Sequence, residues 1–307
     1  MKKIAFVFPG QGAQYAGMGK DFYEQFPESR EVFDRAGELL GMDMKQLCFE
    51  ENDKLNLTEY TQAAMITTIG AMLKKIETMG IRPQAAAGLS LGEYAALVTA
   101  GVLDLYDAIR LVRLRGQLMQ EAVPQGVGGM AAVLGMEQGI VEDACAKTDG
   151  VVTVANYNCP GQLVISGEIA AVQAASEKLK ELGAKRVVPL NVSGPFHSPL
   201  LKPAGEKLFA ALQDVEIHTP ALPYAANVTA EYVTGADGIR DLLARQISSS
   251  VRWQQCVERM IADGVEVFVE IGPGKTISSF VKKIDRAKET INIDKAEDLG
   301  KLAALTA

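Results

Sequence analysis

Ala85-Ala86-Ala87-Gly88-Leu89-Ser90-Leu91-Gly92 is the stretch on which the reading of the fold turns. Its last five residues form a G-x-S-x-G run, and Glu93-Tyr94-Ala95-Ala96-Leu97-Val98 behind them suit a helix. Strand, sharp turn and helix make a nucleophile elbow, which holds a serine hydroxyl clear of the backbone. Glycines flank the serine because a Cβ beside so tight a turn would meet the neighbouring strand or helix. The amide of Leu91 then falls at the positive N-terminus of the helix, well placed to stabilise an oxyanion. Three alanines are weak strand formers, but small residues suit a central strand covered by helices on both faces.

Upstream, Ile4 to Phe8 reads as a buried strand, followed by a Gly-rich loop from Pro9 to Gly19. A helix is expected from Asp21 to Leu40, stopped by Gly41, and a second from Gln62 to Met79, stopped by Gly80. Downstream, Tyr106 to Val123 forms a further helix that ends near Pro124. Strand alternating with helix predicts an α/β domain with a mainly parallel sheet, α/β-hydrolase-like in its elbow. Between residues 125 and 194 the pattern changes to β-α-β-β-α-β, the split order of a small ferredoxin-like unit. Helix returns after His197, and Val265 to Ile271 is an apolar strand closed by Gly272-Pro273-Gly274. The expectation is a large α/β domain over 1–124 and 195–307, interrupted by an insert over 125–194. A substrate belongs in the cleft between them.

Composition limits the function. The chain is 48% hydrophobic and 22% charged, as befits a soluble globular protein. Its net charge of −7 argues against generic nucleic-acid binding. Pro9 and Gly10 end the first apolar run too early for a signal peptide, and no uncharged stretch reads as a membrane span. Cys48, Cys145, Cys159 and Cys256 lack metal or CxxC spacing and read as reduced cytoplasmic thiols, Cys145 in a helix core. Gly10-Gln11-Gly12 fails as a dinucleotide fingerprint because Tyr15 stands where the third glycine is needed. Gly274-Lys275-Thr276 fails as a P-loop, with Val269 in place of the leading glycine.

A serine nucleophile needs a base, and the chain has two histidines. His218 shares the polar face of an alternating segment with Glu216 and reads as a solvated strand histidine. His197 lies between Pro195 and Pro199, where the insert rejoins the main domain, and is the better candidate. On the helix from Tyr106 to Val123, Arg115 is the only charge on the apolar stripe. A guanidinium aimed at a core needs an anion: either an internal Asp or Glu, or a carboxylate brought by the substrate.

Ser90 in its elbow, His197, Arg115 and the opening Phe8-Pro9-Gly10-Gln11-Gly12 together resemble the malonyl-CoA:acyl carrier protein transacylase family. The likeness runs along nearly the whole chain, including Asn158-Cys159-Pro160-Gly161-Gln162 and Glu270-Ile271-Gly272-Pro273-Gly274. It implies a cytoplasmic, monomeric enzyme without cofactor or metal. Malonyl would pass from coenzyme A to Ser90, then to the phosphopantetheine thiol of acyl carrier protein. His197 would be base and then acid, the amides of Gln11 and Leu91 the oxyanion hole, and Arg115 the clamp for the malonyl carboxylate. Gln246 matches the residue whose main-chain carbonyl orients the histidine. Phe196 matches malonyl-selective members, in which a bulky ring crowds an α-methyl branch. Two positions depart from the family: Leu89 replaces its usual histidine and Ala63 its usual proline. A histidine before the serine is therefore no required part of the chemistry here.

The rival enzyme is a serine esterase or thioesterase on the same elbow, with Asp104, Asp107, Asp143 or Asp149 as acidic member. A carrier-docking module with a decayed site is the non-enzymatic rival. For an acidic carrier, the candidate contacts are Lys185, Arg186, Lys282, Lys283 and Arg286, each of which could equally be a solvated surface charge.

Overall fold

β1 (Ile4–Phe8) and β2 (Ala85–Gly88) run parallel, Ala5 opposite Ala85 and Phe8 opposite Gly88, and every residue in both is buried. Alternation sends Ala86, Phe6 and Phe8 into one apolar cluster, and Ala5, Val7, Ala85 and Ala87 into another. The alanine strand is thus covered on both faces, which is why small side chains serve there. The computed structural model describes residues 2–124, 126–192 and 194–305. Gln125 and Ser193, at the expected junctions of the insert, lie outside the described residues, as do Met1, Thr306 and Ala307.

Between β1 and β2 lie α1 (Lys20–Gln25), α2 (Pro27–Leu40), α3 (Met44–Phe49) and α4 (Thr58–Thr78). After β2 come α5 (Gly92–Thr99) and α6 (Leu105–Glu121). The chain then builds β3 (Gly128–Leu134), α7 (Gln138–Ala146), β4 (Val152–Cys159), β5 (Gln162–Glu168), α8 (Ile169–Glu181) and β6 (Arg186–Pro189). It returns through α9 (Lys202–Leu212), β7 (Tyr224–Ala225), β8 (Tyr232–Val233), α10 (Ile239–Gln246) and α11 (Trp253–Ala262). It closes with β9 (Val267–Ile271), α12 (Thr276–Ile284) and β10 (Glu289–Ile293).

The main sheet has the order β10-β9-β1-β2-β7-β8, parallel except for the β7–β8 pair. The second sheet, β4-β5-β3-β6, is antiparallel and carries the expected ferredoxin-like arrangement. It packs α7 and α8 on its own core, in which Val133, Cys145, Ile165 and Leu179 are buried. The segment between α10 and α11 lies along β4, where Val251 accepts from the Tyr157 amide and donates to the Ala155 carbonyl.

Two expectations need correction. The helix foreseen from Asp21 to Leu40 is two helices, because Pro27 pushes Phe26 to an extended conformation (φ −123°, ψ 117°). His218 is in no strand: its segment is irregular, and its amide donates to the Val102 carbonyl. Alternation over five residues is too short to hold a strand without a partner edge. Among the described residues no helix is long and apolar enough to cross a membrane.

Candidate active site

The elbow forms at the carboxyl end of β2. Ser90 sits there at φ +52°, a left-handed conformation that costs a residue with a Cβ about 1–3 kcal/mol. Asn227, from the segment after β7, holds the turn from both sides. Its Oδ1 accepts from the Ser90 amide at 2.7 Å, and its Nδ2 donates to the Gly88 carbonyl at 2.8 Å. The flanking glycines have no room for side chains. A Cβ on Gly88 would lie 1.9 Å from the Gly92 carbonyl carbon, and one on Gly92 would lie 2.4 Å from the Phe8 oxygen. Both clashes are with backbone that cannot swing away. Gly88→Ala is therefore expected to lower stability by about 3 kcal/mol or more, the upper end of overpacking costs. A melting curve close to that of the unmodified protein would contradict this geometry.

His197 is 5% exposed and also left-handed, at φ +58°. Its amide donates to the Ile247 carbonyl, tying the loop to the end of α10. The ring lies between Ser90 Oγ, 2.7 Å from Nε2, and the Gln246 carbonyl, 2.8 Å from Nδ1. A carbonyl can only accept, so Nδ1 carries the proton and Nε2 is free to accept from the serine hydroxyl. Burial, and then the Arg115 guanidinium, push the imidazole down to about 4, so it is neutral near pH 7. The arrangement is a serine–histidine pair poised for proton transfer. His218, 53% exposed on its side chain and 3.8 Å from Glu216, lies outside it.

Arg115 reaches the same point from α6. It is 1% exposed, with Nη1 donating to Gln62 Oε1 and Nη2 to Gln246 Oε1, each at 2.8 Å. Nη2 also lies 3.3 Å from Ser90 Oγ. Among the described residues no carboxylate comes within ion-pair distance of it, and its Nε has no partner. The internal salt bridge left open by the sequence is absent. Gln246 does more than offer its main-chain carbonyl: its Nε2 donates to the Ser90 carbonyl at 2.9 Å and to Glu93 Oε2 at 2.5 Å.

Ser90, Arg115, His197, Gln11, Leu91 and Phe196 all line one cavity of about 250 Å³, at whose wall Leu89 also stands. Among the described residues the amides of Gln11 and Leu91 have no acceptor, although Leu91 is fully buried. Amides left unpaired at a cavity wall are suited to an oxygen that gains charge. Gln246 borders this group from behind Arg115 and His197. Gln62, Glu93 and Asn227 were not singled out from the sequence. Gln62 reads as one polar residue in a helix, Glu93 as a helix-start acid and Asn227 as a turn residue; only the fold brings them together.

Residues 5–303 match the Acyl transferase domain family. The chain belongs to that family. This acyl transferase domain is 48% identical over 303 residues to the malonyl CoA-acyl carrier protein transacylase of Bacillus subtilis (strain 168), covering 97% of this chain and 96% of the relative. It is 45% identical to a malonyl CoA-acyl carrier protein transacylase from Clostridium perfringens, with a TM-score of 0.95 over 99% of this chain and 97% of the other. A further solved structure, a type II PKS acyl-carrier protein in complex with its malonyl-transacylase, is 39% identical with a TM-score of 0.96, covering 99% and 100%.

Proposed function

We propose that this chain moves a malonyl group from coenzyme A to the phosphopantetheine thiol of acyl carrier protein, through an ester on Ser90. The observation that carries the malonyl assignment is Arg115: a buried guanidinium 3.3 Å from the serine hydroxyl, with no carboxylate within ion-pair distance among the described residues. An anion in direct contact with it arrives with the acyl group. The names of the relatives support the same reading, and the complex with a carrier protein among them supports the acceptor.

In the proposed reaction, Ser90 Oγ attacks the thioester carbonyl while His197 Nε2 takes its proton. The amides of Gln11 and Leu91 hold the oxyanion, and the coenzyme A sulfur leaves with the proton from His197. The carrier thiol then reverses these steps, with His197 again base and then acid. Gln246 keeps the imidazole in the required tautomer, and Phe196 narrows the acyl pocket. All of these groups come from the chain, so the reaction as proposed takes no cofactor or metal. We place the insert at residues 125–194 between the two parts of the catalytic domain, and take the protein to act as a cytoplasmic monomer. Lys185, Arg186, Lys282, Lys283 and Arg286 are exposed and in no ion pair among the described residues, which suits a contact with an acidic carrier.

An esterase is less well supported. The Nδ1 partner of His197 is a main-chain carbonyl, whereas Asp104 caps α6 and Asp143 pairs with Lys147. The direct experiment is intact-mass analysis after malonyl-CoA, then after holo acyl carrier protein. An adduct of one malonyl group that persists in water and is discharged by the carrier is expected. Discharge by water at the same rate would make the chain a hydrolase.

Arg115→Ala separates recognition from chemistry. It leaves Ser90, His197 and the oxyanion amides in place, so an uncharged acyl group should still transfer. The kcat/KM for malonyl-CoA is expected to fall by the worth of a charged contact, about 1.5–3 kcal/mol. Acetyl-CoA should lose less, shifting selectivity toward it. Lys at this position should rescue only part, having the charge without the planar fork. An equal fall for both substrates with a lower Tm would give Arg115 a purely structural role.

A further inference from the structure

We propose that Glu93 is the counter-charge of Arg115 in the unacylated protein, and that it binds a proton when the carboxylate of the acyl group takes over that guanidinium. The inference rests on the malonyl reading above and extends it to a residue outside the Ser90–His197 pair.

The geometry is that of two opposite charges held one amide apart. Glu93, 1% exposed on the first turn of α5, has no cation within ion-pair distance among the described residues. Arg115 has no anion at that distance. Between them stands the Gln246 side chain, whose Oε1 accepts from Arg115 and whose Nε2 donates to Glu93. The same carboxylate oxygen accepts from the Asn227 amide at 3.3 Å. The amide of Gln246 can point only one way, since a flip would set its oxygen against the carboxylate and its NH₂ against the guanidinium.

The other ionisable groups that feel the charge of Glu93 are Tyr94 on its own helix, Tyr224 from β7 and Cys256 from α11. Burial pushes all three up, Tyr94 to about 12, so they stay neutral. Among the described residues Arg115 is therefore the one charge set against Glu93, whose own carboxyl burial pushes up to about 7. A second carboxylate at the guanidinium puts two negative charges against one positive charge in a dry site. Like charges in one pocket raise the affinity of one of them for a proton. The group to neutralise is Glu93, which reaches Arg115 only through Gln246. Once protonated, it keeps a carbonyl oxygen to accept from Gln246 Nε2, so the network survives.

Proton counting tests this, because exchange of a thioester for an ester consumes and releases none. The serine proton leaves on the coenzyme A thiol through His197, and any proton gained comes from solvent. Full-length protein is mixed with stoichiometric malonyl-CoA in weak buffer with a pH-indicator dye, and the adduct is counted by intact mass. At about pH 7.5, uptake of about half a proton or more per malonyl group is expected, with none for acetyl-CoA. Glu93→Gln should abolish the uptake per adduct formed. It should also flatten the fall in malonyl-CoA kcat/KM, relative to acetyl-CoA, that is expected of the unmodified protein as pH rises through about 7. Adduct formation without proton uptake in the unmodified protein, or equal uptake by Glu93→Gln, overturns the proposal. These comparisons in the unmodified protein stand even if the variant does not fold. Failure to form any malonyl adduct overturns the malonyl reading itself, and this inference with it.

Discussion

Ser90→Ala protein mixed with malonyl-CoA should gain no mass and transfer nothing to the carrier. Only a hydroxyl is removed, and the position stays pinned by Asn227 through the backbone groups of residues 88 and 90. Alanine bears the same left-handed strain as serine, so Tm should barely change. The loss in rate should approach the about 10⁶-fold scale seen when a Ser–His site loses its nucleophile. Malonyl transfer at near the unmodified rate would mean that another residue carries the acyl group.

The second large effect belongs to His197. Its removal takes away both the base for attack and the acid for the leaving thiol, and acylation should slow by about 10²–10⁴. Its pH dependence should be displaced as well. A base works only when neutral, and this imidazole stays neutral until pH falls toward about 4. Single-turnover acylation by acetyl-CoA should thus be flat through the usual histidine range and decline only in stronger acid. A decline centred near the ordinary histidine value would show that the ring is not held as described. His218→Ala, on an exposed loop, serves as the control and should be nearly silent.

The parts of this site legible in the sequence are those whose chemistry is local. Gly88 and Gly92 announce a turn because nothing larger fits there, and the alanines before them then make sense as a covered strand. His197 stands out because two prolines flank it, and Arg115 because it breaks an apolar stripe. The break at Pro27 has a local signal too, since the residue before a proline is steered away from helix, yet the expectation of one helix from Asp21 to Leu40 passed over it. Glu93, Asn227 and Gln62 were not. Asn227 lies 137 residues from Ser90, and its two hydrogen bonds to the elbow exist only once β2 and β7 are paired. Glu93 looks like any acid in a first helical turn until burial and Gln246 give it another setting. The carbonyl of Gln246 carries no side-chain signature at all, so only family likeness pointed to it.

The place of β1 in the main sheet has a consequence for how the chain is made. Ile4 pairs with Val267, so one edge of β1 has no partner until β9 leaves the ribosome. At about 5–20 residues per second, that wait is on the order of 10–50 s. The antiparallel sheet, by contrast, draws all its strands from residues 128–189 and can close while β1 is still half-paired. During that interval Ala5-Phe6-Val7-Phe8 is an apolar strand with one bare edge, open to any other chain that offers a complementary one. A nascent chain stalled between β2 and Val267 therefore holds one edge of β1 open to aggregation, where a chaperone would be of use.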